Sequence, residues 1–217
     1  PNVGTYLAMY QYGKRNDLDG RLKFLNGDEY IGEFTDGSRT GFGTLTSVSG
    51  YKYTGNWVRS KMHGKGIMIF EDGTSLDGNW INGKAEGLGT LTYSSGKIYI
   101  GEFKADKFYG KGEIKYVNGS IYKGDFIDGR KSGRGTFTSE DGDIYTGGFK
   151  NGEKHGKGEL ILISGERYKG TWRADKKHGK GSLFYANGDK YIGGWKNDKR
   201  HGKGVLTFAD GSENKYI

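Results

Sequence analysis

Four histidines fall at the same position of a periodic pattern, as a metal site assembled from repeats would require. They are His63, His155, His178 and His201. If each repeat is a hairpin of two strands, adjacent members lie about 10 Å apart. Two imidazoles that share a zinc ion must lie within about 4 Å of each other. We therefore predict no metal site, and we expect these histidines to cap or pack beneath a turn.

Gly-Lys-Gly segments beside the histidines resemble loops that hold phosphate groups. None of them fits G-x-x-x-x-G-K-[ST], and none begins a helix whose N-terminus would bind an anion. A catalytic site is built once, so its residues would have to interrupt the repeat, and no position interrupts it in that way. We predict no nucleotide site, no cofactor and no catalytic residues, so the chain is not expected to be an enzyme.

A tyrosine, a glycine and a second aromatic residue recur every 23 residues without insertion. In the first occurrence they are Tyr30, Gly32 and Phe34, and this spacing places all three on one face of a strand. No apolar stripe with a helical period of about 3.6 residues is sustained. The aromatic residues of this pattern are our candidates for lining a partner-binding groove: Tyr30, Phe34, Tyr53, Trp57, Trp80, Tyr99, Phe103, Tyr122, Phe126, Tyr145, Phe149, Tyr168, Trp172, Tyr191 and Trp195.

A second strand follows the first in every repeat. Asp36-Gly37 within a repeat and Asp72-Gly73 between repeats are dipeptides that tight hairpin turns prefer. The second strand is centred on an apolar position, which holds Leu22, Leu45, Met68, Leu91, Ile114, Phe137, Leu160, Leu183 and Leu206. One hairpin cannot bury its own aromatic face. We therefore predict an all-β fold, an elongated single-layer antiparallel sheet of stacked 23-residue β-hairpins with its core between successive repeats.

Composition argues against both a globule with a large core and a disordered chain. Only 33% of the residues are hydrophobic and 42 are glycine, which leaves little apolar surface for a central core. The 16 Tyr, 11 Phe and 4 Trp far exceed what disordered chains carry. Cysteine is absent, which excludes disulfides and thiolate metal sites and fits a reducing compartment.

The ends of the chain and its apolar segments bear on its location. No run approaches the roughly 20 apolar residues of a membrane span, and no secretory leader opens the sequence. We therefore expect a soluble intracellular protein. The sequence begins at Pro1 without a methionine and stops at Ile217, where a further repeat would begin. We expect it to be a fragment of a longer protein.

The pattern Tyr-x-Gly-x-(Trp/Phe) followed by His-Gly-Lys-Gly, seen at residues 53–66 and 168–181, resembles the MORN (membrane occupation and recognition nexus) repeat. The resemblance extends in register over residues 30–211. It implies a twisted, groove-like antiparallel sheet. Proteins made chiefly of such repeats, including radial-spoke-head-like axonemal proteins, are typically scaffolds in cilia, cytoskeletal structures or membrane junctions. In other relatives the repeats accompany a lipid kinase or lysine methyltransferase domain, and no such domain is seen in this sequence.

The repeats predict the domain organisation. Residues 1–29 are expected to form a degenerate N-terminal repeat or cap, and residues 214–217 to begin a further, truncated repeat. Between them lie repeats 1 to 8, at residues 30–52, 53–75, 76–98, 99–121, 122–144, 145–167, 168–190 and 191–213.

Positive charge concentrates beside one hairpin turn of each repeat. The chain has 34 Lys and Arg against 26 Asp and Glu, a net charge of +8, which favours an acidic partner. Three positions next to this turn carry many of the cations, and we predict that they form one basic edge. Its candidate residues are Lys61, Lys65, Lys84, Lys107, Lys111, Arg130, Lys131, Arg134, Lys154, Lys157, Lys176, Lys177, Lys180, Lys199, Arg200 and Lys203.

These features together predict a structural scaffold that binds an extended partner, an acidic or helical protein segment, along the aromatic groove and the basic edge. We expect it in a ciliary, axonemal or other cytoskeletal assembly. Two alternatives stay open: a membrane-surface adaptor for anionic phospholipids such as phosphoinositides, and the targeting segment of a larger enzyme. Nucleic acid is not expected, because the aromatic residues that would stack on bases already hold the repeats together. A homodimer through the exposed ends of the sheet is also predicted.

Overall fold

The computed structural model of the chain describes residues 6–7, 10–11 and 14–216, with side chains for residues 16–215. The predicted cap at residues 1–29 and the predicted truncated repeat at residues 214–217 therefore lie partly outside the described residues. All regular structure in the described part is β-strand. The described residues include no helix that is long and apolar enough to cross a membrane.

The chain divides into two compact units, of which the first is Pro1–Lys107. Its strands are β1 (Tyr6–Leu7), β2 (Tyr10–Gln11), β3 (Lys14–Arg15), β4 (Asp17–Lys23), β5 (Glu29–Thr35), β6 (Ser38–Thr46), β7 (Lys52–Val58), β8 (Lys61–Ile69), β9 (Ser75–Ile81), β10 (Lys84–Thr92) and β11 (Ile98–Lys104). From β4 to β11 each strand pairs antiparallel with the next strand in the chain. In addition, β1 pairs with β4, and β2 pairs with β3.

The second unit is Phe108–Ile217. Its strands are β12 (Lys107–Lys115), β13 (Ile121–Ile127), β14 (Arg130–Thr138), β15 (Ile144–Lys150), β16 (Glu153–Ile161), β17 (Arg167–Arg173), β18 (Lys176–Phe184), β19 (Lys190–Lys196), β20 (Lys199–Thr207) and β21 (Glu213–Tyr216). They follow the same antiparallel order, each strand paired with the next. The predicted all-β class of stacked antiparallel hairpins is confirmed in both units.

Each hairpin turns through two residues with positive φ. The angle is 50° at Asp36 and 80° at Gly37, and it is 49° at Ala174 and 63° at Asp175. These are the angles of a type I′ turn, whose twist matches that of the flanking strands. The turn without glycine is braced by its aspartate, because Asp175 Oδ1 accepts a hydrogen bond of 2.8 Å from the Lys154 N–H of the preceding repeat.

The tyrosine of a repeat lies over two glycines of its own hairpin. A Cβ atom added at Gly55 or at Gly66 would overlap the hydroxyl of Tyr53. That hydroxyl donates a hydrogen bond of 3.1 Å to the carbonyl of Asn56. Glycine is therefore required at both positions, because the tyrosine, and at Gly55 also the backbone of the facing strand, occupies the space that a side chain would need.

The second aromatic residue joins one repeat to the repeat before it. The Trp57 indole N–H donates a hydrogen bond of 3.1 Å to the carbonyl of Gly43. The Trp57 ring also lies edge to face with the rings of Tyr30 and Tyr53, at centroid distances of 5.3 Å and 5.1 Å. Such edge contacts continue through the second unit from Tyr122 to Trp195. The core therefore consists of aromatic contacts between successive repeats.

Repeat 3 departs from this pattern because Leu76 replaces its tyrosine. The nearest atoms to a Cβ added at Gly89 would be the Asp77 carbonyl oxygen at 3.0 Å and the Phe103 ring at 3.1 Å. These contacts are less severe than those at Gly66, where the Tyr53 hydroxyl fills the same place. The glycine of repeat 3 is therefore less strictly required.

Candidate partner-binding surfaces

The two faces of each sheet differ in character. We call the face that carries the tyrosines and tryptophans the aromatic face and the opposite one the outer face. The aromatic face of the first unit contains a groove of about 920 Å³. Its apolar lining is formed by Leu45, Tyr51, Trp57, Met62, Met68, Phe70, Leu91 and Tyr93, and its charged lining by Arg39, Lys61, Glu71 and Asp72. Apolar walls with a few charged groups are typical of sites that bind a ligand or a short protein segment.

One apolar position that lines this groove was missed in the sequence. It lies just before the turn that connects one repeat to the next, and Phe70 and Tyr93 occupy it in the groove. Burial raises the pKa of Tyr93 above the ordinary tyrosine value. The 23-residue period was the signal that could have revealed the position, which also holds Phe24, Tyr116, Leu162, Tyr185 and Phe208 and is serine only at Ser47 and Ser139.

The fifteen aromatic residues expected to line a groove are buried within the packed aromatic layers of the two units. None of them exposes more than 6% of its surface. Trp57 alone among them lies at the groove surface described above. A partner would therefore contact the residues that cover the aromatic layer. These are apolar residues of the second strand, such as Met62, and residues just before the turn between repeats, such as Phe70.

The cations predicted to form one edge are divided between the two faces. Residues directly paired on neighbouring strands share a face, and Lys131 is paired with Phe126 and Lys177 with Trp172. Four half-buried cations therefore lie on the aromatic face: Lys131, Lys154, Lys177 and Arg200. The other twelve are exposed: Lys61, Lys65, Lys84, Lys107, Lys111, Arg130, Arg134, Lys157, Lys176, Lys180, Lys199 and Lys203. Adjacent residues of a strand, such as Arg130 and Lys131, point to opposite faces, so the cations beside each turn are presented on both faces of the sheet.

The half-buried cations of the second unit lie against the aromatic layer. Lys154 Nζ is 4.7 Å from the centroid of the Trp172 ring, and the Arg200 guanidinium is 4.7 Å from that of Tyr191. Such contacts attract a cation to the face of the ring. None of Lys131, Lys154 and Lys177 forms an ion pair within the part of the chain that the structure describes.

Burial lowers the pKa of Lys131 and of Lys177 below the ordinary lysine value. The negative charge of Asp175 near Lys131, and those of Asp198 and Glu166 near Lys177, oppose this lowering of the pKa without cancelling it. Partly desolvated cations without an ion-pair partner are typical of binding surfaces, where an incoming anion supplies the missing charge.

The histidine column lies at the bulge of the second strand. His178 is directly opposite Thr171 across the hairpin. The Nδ1 atoms of His63 and His178 are buried without a hydrogen-bond partner. Over residues 16–215, no three His, Asp or Glu side chains are arranged to hold a metal ion.

Comparison with protein families gives one match, which covers most of the chain. The MORN repeat family model matches residues 30–50, 53–75, 77–98, 99–121, 122–144, 145–167, 168–190 and 191–213. No curated protein matches the sequence.

Several solved structures resemble the chain at low sequence identity. The TCP10 domain of Danio rerio CPAP, in complex with a peptide of Danio rerio STIL, is 11% identical with a TM-score of 0.50, over 90% of this chain and 81% of that one. The TCP domain of Drosophila melanogaster SAS-4 (dCPAP), in complex with a proline-rich motif of Ana2 (dSTIL), is 13% identical with a TM-score of 0.45, over 71% and 84%. The CPAP G-box domain is 13% identical with a TM-score of 0.48, over 91% and 97%. At such identity the first of these shows a likeness of fold and no more.

Proposed function

This chain belongs to the MORN repeat family, and we propose that it is a non-catalytic scaffold that binds a segment of a partner protein along its aromatic face. The groove of the first unit carries the proposal, because its 920 Å³ is lined mainly by apolar side chains with charged groups of both signs among them. Apolar side chains of a partner would supply most of the affinity. The charged groups would orient the bound segment.

The nature of the occupant follows from the shape and lining of the groove. A site between successive hairpins crosses several strands, so an extended or helical segment fits it better than a compact small molecule. The TCP10 domain of Danio rerio CPAP, which shares the fold at a TM-score of 0.50, is in complex with a STIL peptide. By analogy we propose a peptide segment as the ligand of this chain.

Selection of peptides from a displayed library on the purified protein tests the groove, with Met62→Lys as the informative variant. The fold tolerates lysine at this position, since Lys131 and Lys154 occupy it in other repeats. The matched control is Ile67→Lys, on the same strand but on the outer face, where the side chain is 44% exposed. We expect the selected peptides to bind Met62→Lys at least about tenfold more weakly and Ile67→Lys unchanged. Equal binding to both variants would place the ligand elsewhere.

A membrane-surface adaptor is the alternative function, and the charge of the second unit supports it. Each lysine or arginine near an anionic bilayer contributes about 1 kcal/mol. Vesicles that contain phosphatidylinositol bisphosphate test this function directly. Binding that weakens with salt and disappears on reversing Lys154, Lys157, Lys177 and Lys180 would favour it. Absence of binding at physiological salt would exclude it.

We place the scaffold in a ciliary, axonemal or other cytoskeletal assembly, which the resemblance to all-repeat MORN proteins supports. Imaging of the endogenously tagged protein tests this setting, and a diffuse distribution would contradict it.

The remaining role, a targeting segment of a larger enzyme, is tested by the sequence that flanks residues 1–217 in the encoded protein. Pairing of two copies through the sheet ends predicts a dimer by light scattering.

A further inference from the structure

One outer-face position of each repeat faces the bulge of the following strand, and its residue type changes along the chain. It holds Glu33, Asn56, Asn79, Glu102 and Asp125 in repeats 1 to 5, and Gly148, Thr171 and Gly194 in repeats 6 to 8. In repeats 1 and 5 a carboxylate covers the bulge. Glu33 Oε1 accepts a hydrogen bond of 2.7 Å from the Phe42 N–H, and Asp125 Oδ2 accepts one of 2.8 Å from the Arg134 N–H.

Asp125 shows what this position can bind. In addition to the Arg134 N–H, its carboxylate contacts Lys111 Nζ at 2.5 Å, and Lys111 is directly opposite on the preceding strand. The hydrogen bond from Lys111, with that from the Arg134 N–H, holds the pKa of Asp125 below its ordinary value. A cation from the strand before and an N–H from the strand after thus form a carboxylate site.

Repeats 6 and 8 have glycine in place of the carboxylate, with cations at the same neighbouring positions. Arg134 is directly opposite Gly148, and Lys180 is directly opposite Gly194, as Lys111 is opposite Asp125. Lys157 and Lys203 take the place of Arg134 on the following strand.

The space over the bulge is open in these two repeats. A Cβ added at the bulge glycine Gly133 of repeat 5 would lie 2.6 Å from Asp125 Oδ2. One added at the equivalent Gly156 or Gly202 would meet nothing within 4 Å. At Gly148 and Gly194 themselves, a Cβ would overlap the carbonyl of a histidine on the next strand. A side chain at residue 148 or 194 therefore cannot fill these two places in the way that Asp125 does in repeat 5.

The charges around these places favour an anion. Neither Arg134 nor Lys180 forms an ion pair with another residue in the described part of the chain. On the same face, Lys196 is directly opposite Lys199, and like charges at paired positions repel each other. An anionic partner would relieve this repulsion.

We propose that the outer face of the second unit binds an acidic segment of a partner protein, whose carboxylates occupy the open places of repeats 6 and 8. The class of ligand follows from Asp125, because a carboxylate fills the equivalent place in repeat 5. This surface is separate from the aromatic face, so it goes beyond the function proposed above. The open places of repeats 6 and 8 are separated by four strand spacings, which is about 19 Å. An extended segment rises about 3.3 Å per residue, so acidic residues about six positions apart would reach both places from one face of the segment.

The test uses two synthetic peptides of equal charge and length, one with glutamates six positions apart and one with glutamates three positions apart. Binding is measured by fluorescence anisotropy at low and at physiological salt. The informative variant is Arg134→Gln with Lys180→Gln. The matched control is Arg173→Gln with Lys176→Gln, which removes the same charge from the same face at the turn of repeat 7, where the two residues are directly opposite each other. All three proteins are compared by their free energies of unfolding.

We expect the six-position peptide to bind more tightly, and the Arg134→Gln, Lys180→Gln protein to bind it at least about tenfold more weakly. The control protein should lose less than about threefold. Equal losses of affinity in the two variants, or equal binding of the two peptides, would mean that the surface attracts acidic peptides by net charge alone. Either result would overturn the proposal. Binding to phosphatidylserine vesicles without binding to either peptide would also overturn it. The Met62→Lys variant, which tests the groove, should bind the acidic peptide normally.

Discussion

The two units build the same hairpin and differ in the side chains that they present. The first unit has 13 Lys and Arg against 12 Asp and Glu, and the second has 21 against 14, so the net charges are +1 and +7. At the position beside the hairpin turn on the aromatic face, the first unit carries Arg39, Met62 and Ala85, whereas the second carries Phe108, Lys131, Lys154, Lys177 and Arg200. The outer-face position over the bulge carries polar side chains in the first unit and largely glycine in repeats 6 to 8.

This difference shows which positions the fold controls and which it leaves to function. Tyrosine, glycine and the second aromatic residue are present in both units because the contacts between repeats require them. The position beside the turn accepts Met62, Ala85 or Lys131 with the same backbone pairing. A repeat protein can therefore change the ligand of each repeat without changing its core.

The largest effect is expected from adding a methyl group beneath a tyrosine. Gly181→Ala in the second unit would place a Cβ 2.6 Å from ring atoms of Tyr168, and we expect the free energy of unfolding to fall by about 3 kcal/mol. Gly89→Ala in the first unit faces no tyrosine because Leu76 replaces it, and we expect a loss of about 1 kcal/mol. Urea unfolding measures both variants. Equal losses would mean that the tyrosine does not determine the need for glycine.

Alkaline pH is expected to destabilise the protein, chiefly through the second unit. Burial raises the pKa of Tyr53 and Tyr168 from 10.0 to about 12, and it also raises the pKa of Tyr122 and Tyr145. The unfolded chain loses these protons from a pH of about 10, whereas the folded chain keeps them, so stability is lost as pH rises from about 10 towards 12.

Tyr145→Phe removes one of these groups and should make the free energy of unfolding fall less steeply with pH over this interval. Tyr109→Phe is the control, because that side chain is 41% exposed. Unfolding by urea at successive pH values gives the slopes. A slope for Tyr145→Phe equal to that of the unchanged protein would contradict the assignment.

The smallest effect concerns the lysines on the aromatic face. Burial lowers the pKa of Lys131, so the folded chain disfavours its charged form at neutral pH. Lys131→Met, which copies Met62 of repeat 2, should raise the free energy of unfolding by about 0.5 to 1 kcal/mol. Lys150→Met on the outer face removes an exposed charge and should change it by less than about 0.5 kcal/mol. A destabilised Lys131→Met protein would show that the lysine contributes more through its ring contacts than burial costs.

Much of the fold was predictable because it is local and periodic. The i, i+2, i+4 spacing of Tyr53, Gly55 and Trp57 indicates a strand with one aromatic face, and dipeptides such as Asp36-Gly37 indicate hairpin turns. The apolar position of Phe70 and Tyr93 has the same period, but it lies next to a turn and outside the two strand patterns, so the strand periods did not indicate it.

The sequence by itself determined the strand period, the turns and the family, because each depends on residues close together in one repeat. Only the tertiary structure decided which face each charge occupies and whether an aromatic residue is accessible. Lys176 and Lys177 are neighbours in the sequence and belong to two adjacent basic positions of the repeat, yet the pleat of the strand points them to opposite faces. The open place beside Gly148 likewise depends on Arg134, from the preceding repeat, and on Gly156 of the following strand, which only the pairing of strands brings together.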